Sequence, residues 1–256
     1  MNANQKIYES KIVVHSYSGL KKLFPAEKII FNLIATKQNK RSILDLGIGA
    51  GRTTLFFAPL FETYIGVDFS AGMIESCRNR YRSISNAQFI VADVTTLPKL
   101  SINRFDFVLF SFNGIDCLQS IEERVALLTE IHSLLEPGGI FAFSSHNTLA
   151  LKRLYSFQWP RRNPLKIFSE YVRRRKVSRI NGPESNYIGK KFFQVYDGGE
   201  DFKVHNSYIL PSHQLTLLKE SGFQRVEAID IKGKIIPIDK IDSCNDNWIH
   251  YLCYKL

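Results

Sequence analysis

The residues with the clearest chemical purpose lie between positions 43 and 54, which read Ile-Leu-Asp-Leu-Gly-Ile-Gly-Ala-Gly-Arg-Thr-Thr. Gly47, Gly49 and Gly51 alternate after a short apolar run, and a helical pattern (Leu55, Phe56, Ala58) starts just beyond them, from Thr53. Glycine has no side chain to hold a ligand away, so such a turn lets the backbone approach closely. The turn also opens onto a helix N-terminus, whose free N–H groups favour negative charge. A dinucleotide site needs Gly-x-Gly-x-x-Gly. Here the third glycine comes early, and Arg52 occupies the place that the fingerprint requires. Asp45, just ahead of Gly47, suits a cationic group rather than a pyrophosphate. The expected ligand is small and zwitterionic, its amino end at Asp45 and its carboxylate near the turn. A bare β–α turn would account for one glycine; it accounts poorly for an acid and three glycines in this order.

These residues need a scaffold, and the chain supplies one by alternation. Apolar strands are predicted at 42–46, 64–67, 88–91, 105–110 and 140–143, with helices at 53–60, 70–81 and 121–135 between them. Such alternation predicts a parallel sheet covered on both faces. Asp68, Asp93, the segment 111–116 and His146-Asn147 then all fall at carboxyl ends of successive strands, where open α/β sheets bind ligands. Asp68 stands where such a sheet places the acid that binds ribose hydroxyls. Residues 6–37 read as helices on one side, with 15–19 as a loop over the glycine turn. Strands at 191–196 and 202–209 form a predicted hairpin, 211–221 a helix, and 225–231 and 248–254 an antiparallel pair that closes the sheet.

Composition sets the bounds. The 256 residues are 45% hydrophobic, enough for one substantial α/β core. No apolar run approaches the ~20 residues of a membrane span, and the N-terminus lacks an apolar signal core. Cys77, Cys117, Cys244 and Cys253 are scattered and read as reduced thiols. Together these give a cytoplasmic protein with no metal site and no disulfide framework as the expectation. The net charge of +10 is concentrated: between Lys152 and Arg179 stand ten Lys and Arg against a single acid, Glu170, a local +9.

The chain resembles the class I S-adenosylmethionine (SAM)-dependent methyltransferases. The resemblance rests on Leu44-Asp45-Leu46-Gly47-Ile48-Gly49-Ala50-Gly51, Gly66-Val67-Asp68-Phe69-Ser70, Val91-Ala92-Asp93, Phe105-Asp106-Phe107-Val108 and Leu134-Leu135-Glu136-Pro137-Gly138-Gly139, in this order. It implies an α/β, Rossmann-like, seven-stranded, mostly parallel sheet with helices on both faces, an antiparallel last strand and a basic insertion after strand five. The single domain 1–256 would divide into a helical cap (1–40), a cofactor-binding core (41–147), a basic lid or acceptor insertion (148–206) and a closing helix and strands (207–256). The resemblance also implies the cofactor, SAM, with S-adenosylhomocysteine (SAH) as product. Asp45, Gly47, Gly49 and Gly51 would hold its methionine part, Asp68 its ribose and Asp93 its adenine amine. Phe69 joins this set, Met73 and Val94 would pack on the adenine, and Phe110, Ser111 and Phe112 would wall the sulfonium end.

The acceptor is less constrained. A hydroxyl acceptor must lose its proton at or before transfer, best to a group with a pKa near neutral. His146 is the first candidate base, with Asp116, His15 and Tyr17 behind it. Candidate acceptor-binding residues are Asn113, Asn147, Trp159, Arg161 and Arg162. The fourth-strand exit, Ser111-Phe-Asn-Gly, departs from the Asn/Asp-Pro-Pro-aromatic motif of relatives that methylate amide or nucleobase amines, and Cys117 lacks the preceding Pro of pyrimidine C5-methylating enzymes. The expectation is a small-molecule or glycan-type acceptor, methylated at oxygen. The alternatives are N-methylation of an amino sugar, peptide terminus or small amine; methylation of RNA; and a non-catalytic cofactor-binding partner. The basic cluster reads in three ways: as a lid with solvated arginines, as a binder of a phosphate-bearing acceptor, or as a contact to an anionic membrane or RNA backbone.

Overall fold

The computed structural model describes residues 3–38, 40–100, 104–157 and 164–256. In chain order the elements are α1 (Ala3–Tyr8), α2 (Lys11–Ser18), α3 (Pro25–Ala35), β1 (Ser42–Leu46), α4 (Thr54–Phe57), β2 (Thr63–Asp68), α5 (Ala71–Arg80), β3 (Ala87–Val91), β4 (Phe105–Phe110), α6 (Ile121–Leu134), β5 (Leu135–His146), α7 (Leu151–Tyr155), α8 (Pro164–Asn181), β6 (Phe192–Val195), β7 (Asn206–Ile209), α9 (Pro211–Glu220), β8 (Arg225–Ile229), β9 (Ile235–Ile236) and β10 (Trp248–Tyr254).

The main sheet runs β3-β2-β1-β4-β5-β10-β8-β9. Strands β1 to β5 pair in parallel, and β10 lies antiparallel between β5 and β8. The sheet therefore has eight strands rather than the seven expected, the extra one being the two-residue β9 at the edge. The chain order reverses beside β1, between β2 and β4, which is the switch point at which such sheets bind ligands.

Period-two burial explains why the sheet is covered on both faces. Leu44, Val108, Phe110, Phe141, Phe143, Ile249 and Tyr251 pack on the side of α6 and α9. Ile43, Phe107, Leu109, Ile140, Ala142 and Leu252 pack on the side of α3, α4 and α5. Phe105 breaks the alternation by joining the first set, at the register shift between the Phe105 and Phe107 pairs of β4 and β5. This shift reflects an early start to β5. The helix stops at Leu134, and the strand takes in Pro137-Gly138-Gly139, residues expected to end the helix ahead of a strand starting at 140.

Two further differences matter for the site. Residues 15–18, expected as a loop, are the last turn of α2, which leans on α5 through a Ser18–Ser76 hydroxyl contact of 3.0 Å. The expected helix over 53–60 is a single α turn that tightens into a 3-10 turn at Ala58–Leu60, with Pro59 just inside it. Between β5 and α9, the strands β6 and β7 form a separate antiparallel pair. With α7 and α8 they enclose a small apolar cluster of Leu151, Tyr155, Val177, Phe193, Val195 and Tyr208. No helix of the described residues is long and apolar enough to cross a membrane.

Candidate active site

A cavity of about 320 Å³ opens at the carboxyl ends of β1 to β4. That is within the ~300–1,000 Å³ usual for small-molecule sites. Its floor is the glycine turn, where Gly47 and Gly49 have φ of 59° and 53°. A Cβ on Gly47 would stand 2.7 Å from the Phe110 ring, and one on Gly49 would stand 3.3 Å from Tyr17. The turn is thus compressed between a strand-exit aromatic and the N-terminal cap, and only glycine fits.

Asp45, Asp68 and Asp93 all line this cavity. Asp45 is buried, and both of its hydrogen bonds fall on Oδ2, from Thr53 Oγ1 at 2.6 Å and Tyr64 Oη at 2.7 Å. Oδ1 is left without a protein donor among the described residues. Burial pushes the Asp45 pKa up to about 7, against the pull of those two hydroxyls. A cationic ligand group would relieve that cost. Asp68 accepts Gly49 N–H on Oδ2 and Ser70 N–H on Oδ1, both at 2.9 Å, and burial raises it to about 6. It ties the glycine turn to the N-cap of α5, where Ser70 Oγ accepts Met73 N–H. Asp93 is half-buried and holds Thr95 through Oδ1 alone, by the Thr95 N–H at 2.9 Å and hydroxyl at 2.8 Å. Its other oxygen is open to a ligand N–H.

The cavity has a roof that the sequence only hinted at. Tyr8, Tyr17 and Leu20 close it from the N-terminal helices, with Phe69 edge-on to Tyr8 at 5.8 Å between centroids. Met73 lines the cavity and also packs with Val13 and Ala50, so it is both wall and core. Val94, Phe110, Ser111 and Phe112 complete the lining. Arg52, noted in the sequence only for displacing a fingerprint glycine, is the largest cation in the wall. Its guanidinium makes a bidentate pair with buried Glu27 at 2.5 and 2.6 Å and lies over the rings of Phe24 and Phe112. Burial works to raise the Glu27 pKa; Arg52 and the Ser111 hydroxyl more than offset it, so the carboxyl stays below its usual range.

Gly51, expected at the ligand, is held by packing. It does not line the cavity; its φ is 78°, and a Cβ would meet the Tyr81 ring at 2.5 Å, so it seats the turn on α5. His15 is exposed and does not line the cavity. Asn147 is likewise outside the cavity lining. Its Nδ2 donates to the Cys244 and Asp246 carbonyls and its Oδ1 accepts Leu149 N–H, which fully engages it in a turn. Trp159, Arg161 and Arg162 lie outside the described residues.

His146 and Asp116 stand beside the cavity rather than in its wall. Asp116 is wholly buried and paired with Arg124 at 2.5 Å. It also accepts the Ser145 hydroxyl at 2.7 Å and the His146 backbone N–H at 2.6 Å. His146 Nδ1 is 2.8 Å from Asp116 Oδ2, a contact of charge without a well-aligned N–H bond. Its Nε2 faces Asn113 Nδ2 at 3.3 Å and Asp197 at 3.8 Å, and its ring stacks on Tyr208. Burial favours neutral imidazole; Asp116 and then Asp197 overcome this and raise the His146 pKa. Burial would raise Asp116, but Arg124 and His146 hold it down. Asn113 has left-handed backbone (φ 62°) and leaves its buried Oδ1 unpartnered beside the imidazole. Trp248 is edge-on to both His146 and Phe112, which connects this cluster to the cavity wall. The sequence reading missed Arg124, whose buried guanidinium also donates to Ser145, Gln214 and Ser207. A lone Arg at an inward position of an apolar helix is the signal that would have exposed it.

Comparison with known proteins agrees with this geometry. A family model described as a methyltransferase domain matches residues 43–139. A demethylmenaquinone methyltransferase of Staphylococcus epidermidis is 30% identical over 51% of this chain and 55% of its own length, so the chain spans little more than half of that relative. A carboxy-S-adenosyl-L-methionine synthase of Vibrio cholerae is 30% identical over 63% of this chain and 69% of its own length. The structure of the CcbJ methyltransferase from Streptomyces caelestis superposes with a TM-score of 0.60 at 19% identity, covering 90% of this chain and 89% of that one, a likeness of fold. With the acids at the ends of β1, β2 and β3 and the compressed glycine turn between them, the chain belongs to the class I SAM-dependent methyltransferases.

Proposed function

We propose that this chain transfers the methyl group of SAM to a small acceptor, at a hydroxyl in preference to nitrogen, with His146 receiving the acceptor proton. When bound, SAM supplies a methyl group already activated by its positive sulfur, so the protein's tasks are alignment, exclusion of water and proton removal. Asp45 Oδ1 and the glycine-turn backbone would hold the methionine end, Asp68 the ribose and Asp93 the adenine amine. Tyr8, Tyr17, Leu20 and Phe112 would close over the reacting end and keep water out. Alignment of this kind is worth up to ~7–11 kcal/mol of a bimolecular barrier.

The observation that carries the choice of oxygen is the Arg124–Asp116–His146 chain. Asp116, held by Arg124, faces Nδ1, so Nε2, which meets Asn113 and Asp197 on the other side of the ring, would be the atom that accepts the proton. Because the same carboxylate raises the His146 pKa, the imidazole becomes a competent base only as pH rises through that value, and turnover should rise with it. Glycan-type hydroxyls belong to the same reading. A second reading, methylation of an aromatic ring carbon, is favoured by the aromatic roof of Tyr8, Tyr17 and Phe112 and by the relatives named demethylmenaquinone methyltransferase.

Screening sugar, phenol, quinol and amine acceptors with methyl-labelled SAM, and locating the label by NMR, separates the two. On the first reading the label sits on oxygen, and His146→Ala keeps SAH affinity while losing most turnover. Label on carbon would replace the first reading by the second, and full turnover in His146→Ala would remove the imidazole from the mechanism.

A further inference from the structure

The helix α8 carries a surface that the methyl-transfer site does not use. Its inward side is fixed: Val177 is fully buried in the small cluster with Tyr155 and Phe193, and Arg173 pairs with Glu170 while donating to the Leu154 and Ser156 carbonyls. Lys176 pairs with Asp201. The positions left over are Phe168, Tyr171, Val172, Arg175 and Arg179, spaced i, i+3, i+4, i+7 and i+11, which is one stripe of a 3.6-residue helix. Phe168 is 69% exposed, Tyr171 50% and Val172 46%. Arg174, Arg175 and Arg179 have no carboxylate partner among the described residues, and Arg175 lies over the Tyr171 ring. Single exposed apolar residues are ordinary; three on adjoining turns, continued by unpaired cations, form a patch with a purpose.

We propose that this face of α8 docks on an anionic lipid surface, with Phe168, Tyr171 and Val172 entering the headgroup boundary, Arg175 and Arg179 meeting lipid phosphates and Arg174 at the flank of the stripe. Charge complementarity selects the partner, because the segment from Lys152 to Arg179 carries nine tenths of the chain's net charge of +10. The apolar half of the stripe selects a bilayer over a nucleic acid backbone. A phosphate backbone would be met by the arginines alone and gains nothing from exposed Phe168 and Val172, whereas interfacial helices combine an apolar strip with cations beside it. Each cation near an anionic bilayer strengthens binding by about fivefold. The helix is ~27 Å long at 1.5 Å per residue, and its docking by Val177 and Arg173 holds the stripe outward, so no folding cost is added on binding.

The test uses the full chain and flotation with vesicles of phosphatidylcholine, with and without phosphatidylglycerol. The expected result is binding only when phosphatidylglycerol is present, weakened by salt. Arg175→Gln/Arg179→Gln should weaken it by about 25-fold. Phe168→Ser/Val172→Ser, which keeps every charge, should also release the protein. A chain with Phe168→Trp should show quenching of its added fluorescence by brominated lipid. These positions are exposed, so thermal melting should stay unchanged in each variant and separates lost docking from lost fold. Failure to float with phosphatidylglycerol at low salt overturns the proposal, as does binding indifferent to Phe168→Ser/Val172→Ser. Retention by single-stranded RNA without flotation also overturns it.

Discussion

The glycine turn and the end of β5 both bury carboxylates, and they treat them in opposite ways. At the turn, Asp45 and Asp68 receive hydroxyl and backbone donors but, among the described residues, no cation within pairing distance, and burial lifts them to about 7 and 6. At the end of β5, Asp116 is given Arg124 and His146 and is driven below its usual range despite complete burial. The first pair is left short of positive charge, as expected of groups that await a ligand. The second is self-sufficient, as expected of a group that holds another side chain in place. Glu27 follows the second pattern, since Arg52 supplies its cation within the protein.

The largest expected effect of breaking this contrast is at Arg124. Arg124→Leu leaves Asp116 buried without its cation, and loss of one partner of a buried pair costs about 3–5 kcal/mol. Thermal melting should fall steeply, and the imidazole of His146 should lose its fixed pose with it. Asp45→Asn should behave in the reverse sense. The amide oxygen still accepts from Thr53 and Tyr64, the buried charge is gone, and melting at pH 8 should be no lower than for the parent. SAH affinity should nonetheless fall by about 1.5–3 kcal/mol, the value of a hydrogen bond to a charged group.

The pH dependence sharpens the same comparison. Asp45 must be ionised to meet an ammonium, so SAH affinity should fall by up to about tenfold per pH unit below 7 and level off above it. Stability moves differently for the two regions. Asp45 and Asp68 have folded pKa values above their unfolded ones, so the folded state binds more protons and stability is lost as pH rises from about 4 through 6 and 7. His146, also raised, contributes stability that is fully present below its unfolded value and lost as pH rises through the folded one. Asp116, lowered, contributes stability present above its unfolded value and lost as pH falls through the folded one. Melting curves in the Asp116→Asn and Asp45→Asn backgrounds should separate these slopes.

The two regions also differ in how far the sequence disclosed them. The turn is contiguous: Asp45, Gly47 and Gly49 act within one strand exit, and Asp68 and Asp93 sit at the ends of the next two strands, so short apolar runs that each end in a carboxylate disclose them. Spacing alone does not distinguish a glycine facing a cavity from one, like Gly51, pressed on Tyr81. The β5 cluster is assembled from α6, β5, β7 and α9 through Arg124, Ser145, Ser207 and Gln214. Residues so far apart in the chain have no spacing to read. His146 and Asp116 are legible as strand-exit residues, but the guanidinium that binds Asp116 is hidden in a helix pattern. The roof, Tyr8 and Tyr17, depended on how α1 and α2 fold back over α5, which no local periodicity encodes. The eighth strand was missed for a simpler reason, since two residues are too few to alternate.

The central claim, that donor binding resides in the turn and proton handling at the end of β5, is tested most directly by calorimetric titration of SAH into the parent, Asp68→Ala and His146→Ala proteins. The expected result is that Asp68→Ala loses most of its affinity while His146→Ala binds as the parent does. Equal affinity in Asp68→Ala and the parent, or a loss in His146→Ala as large as that in Asp68→Ala, would contradict it.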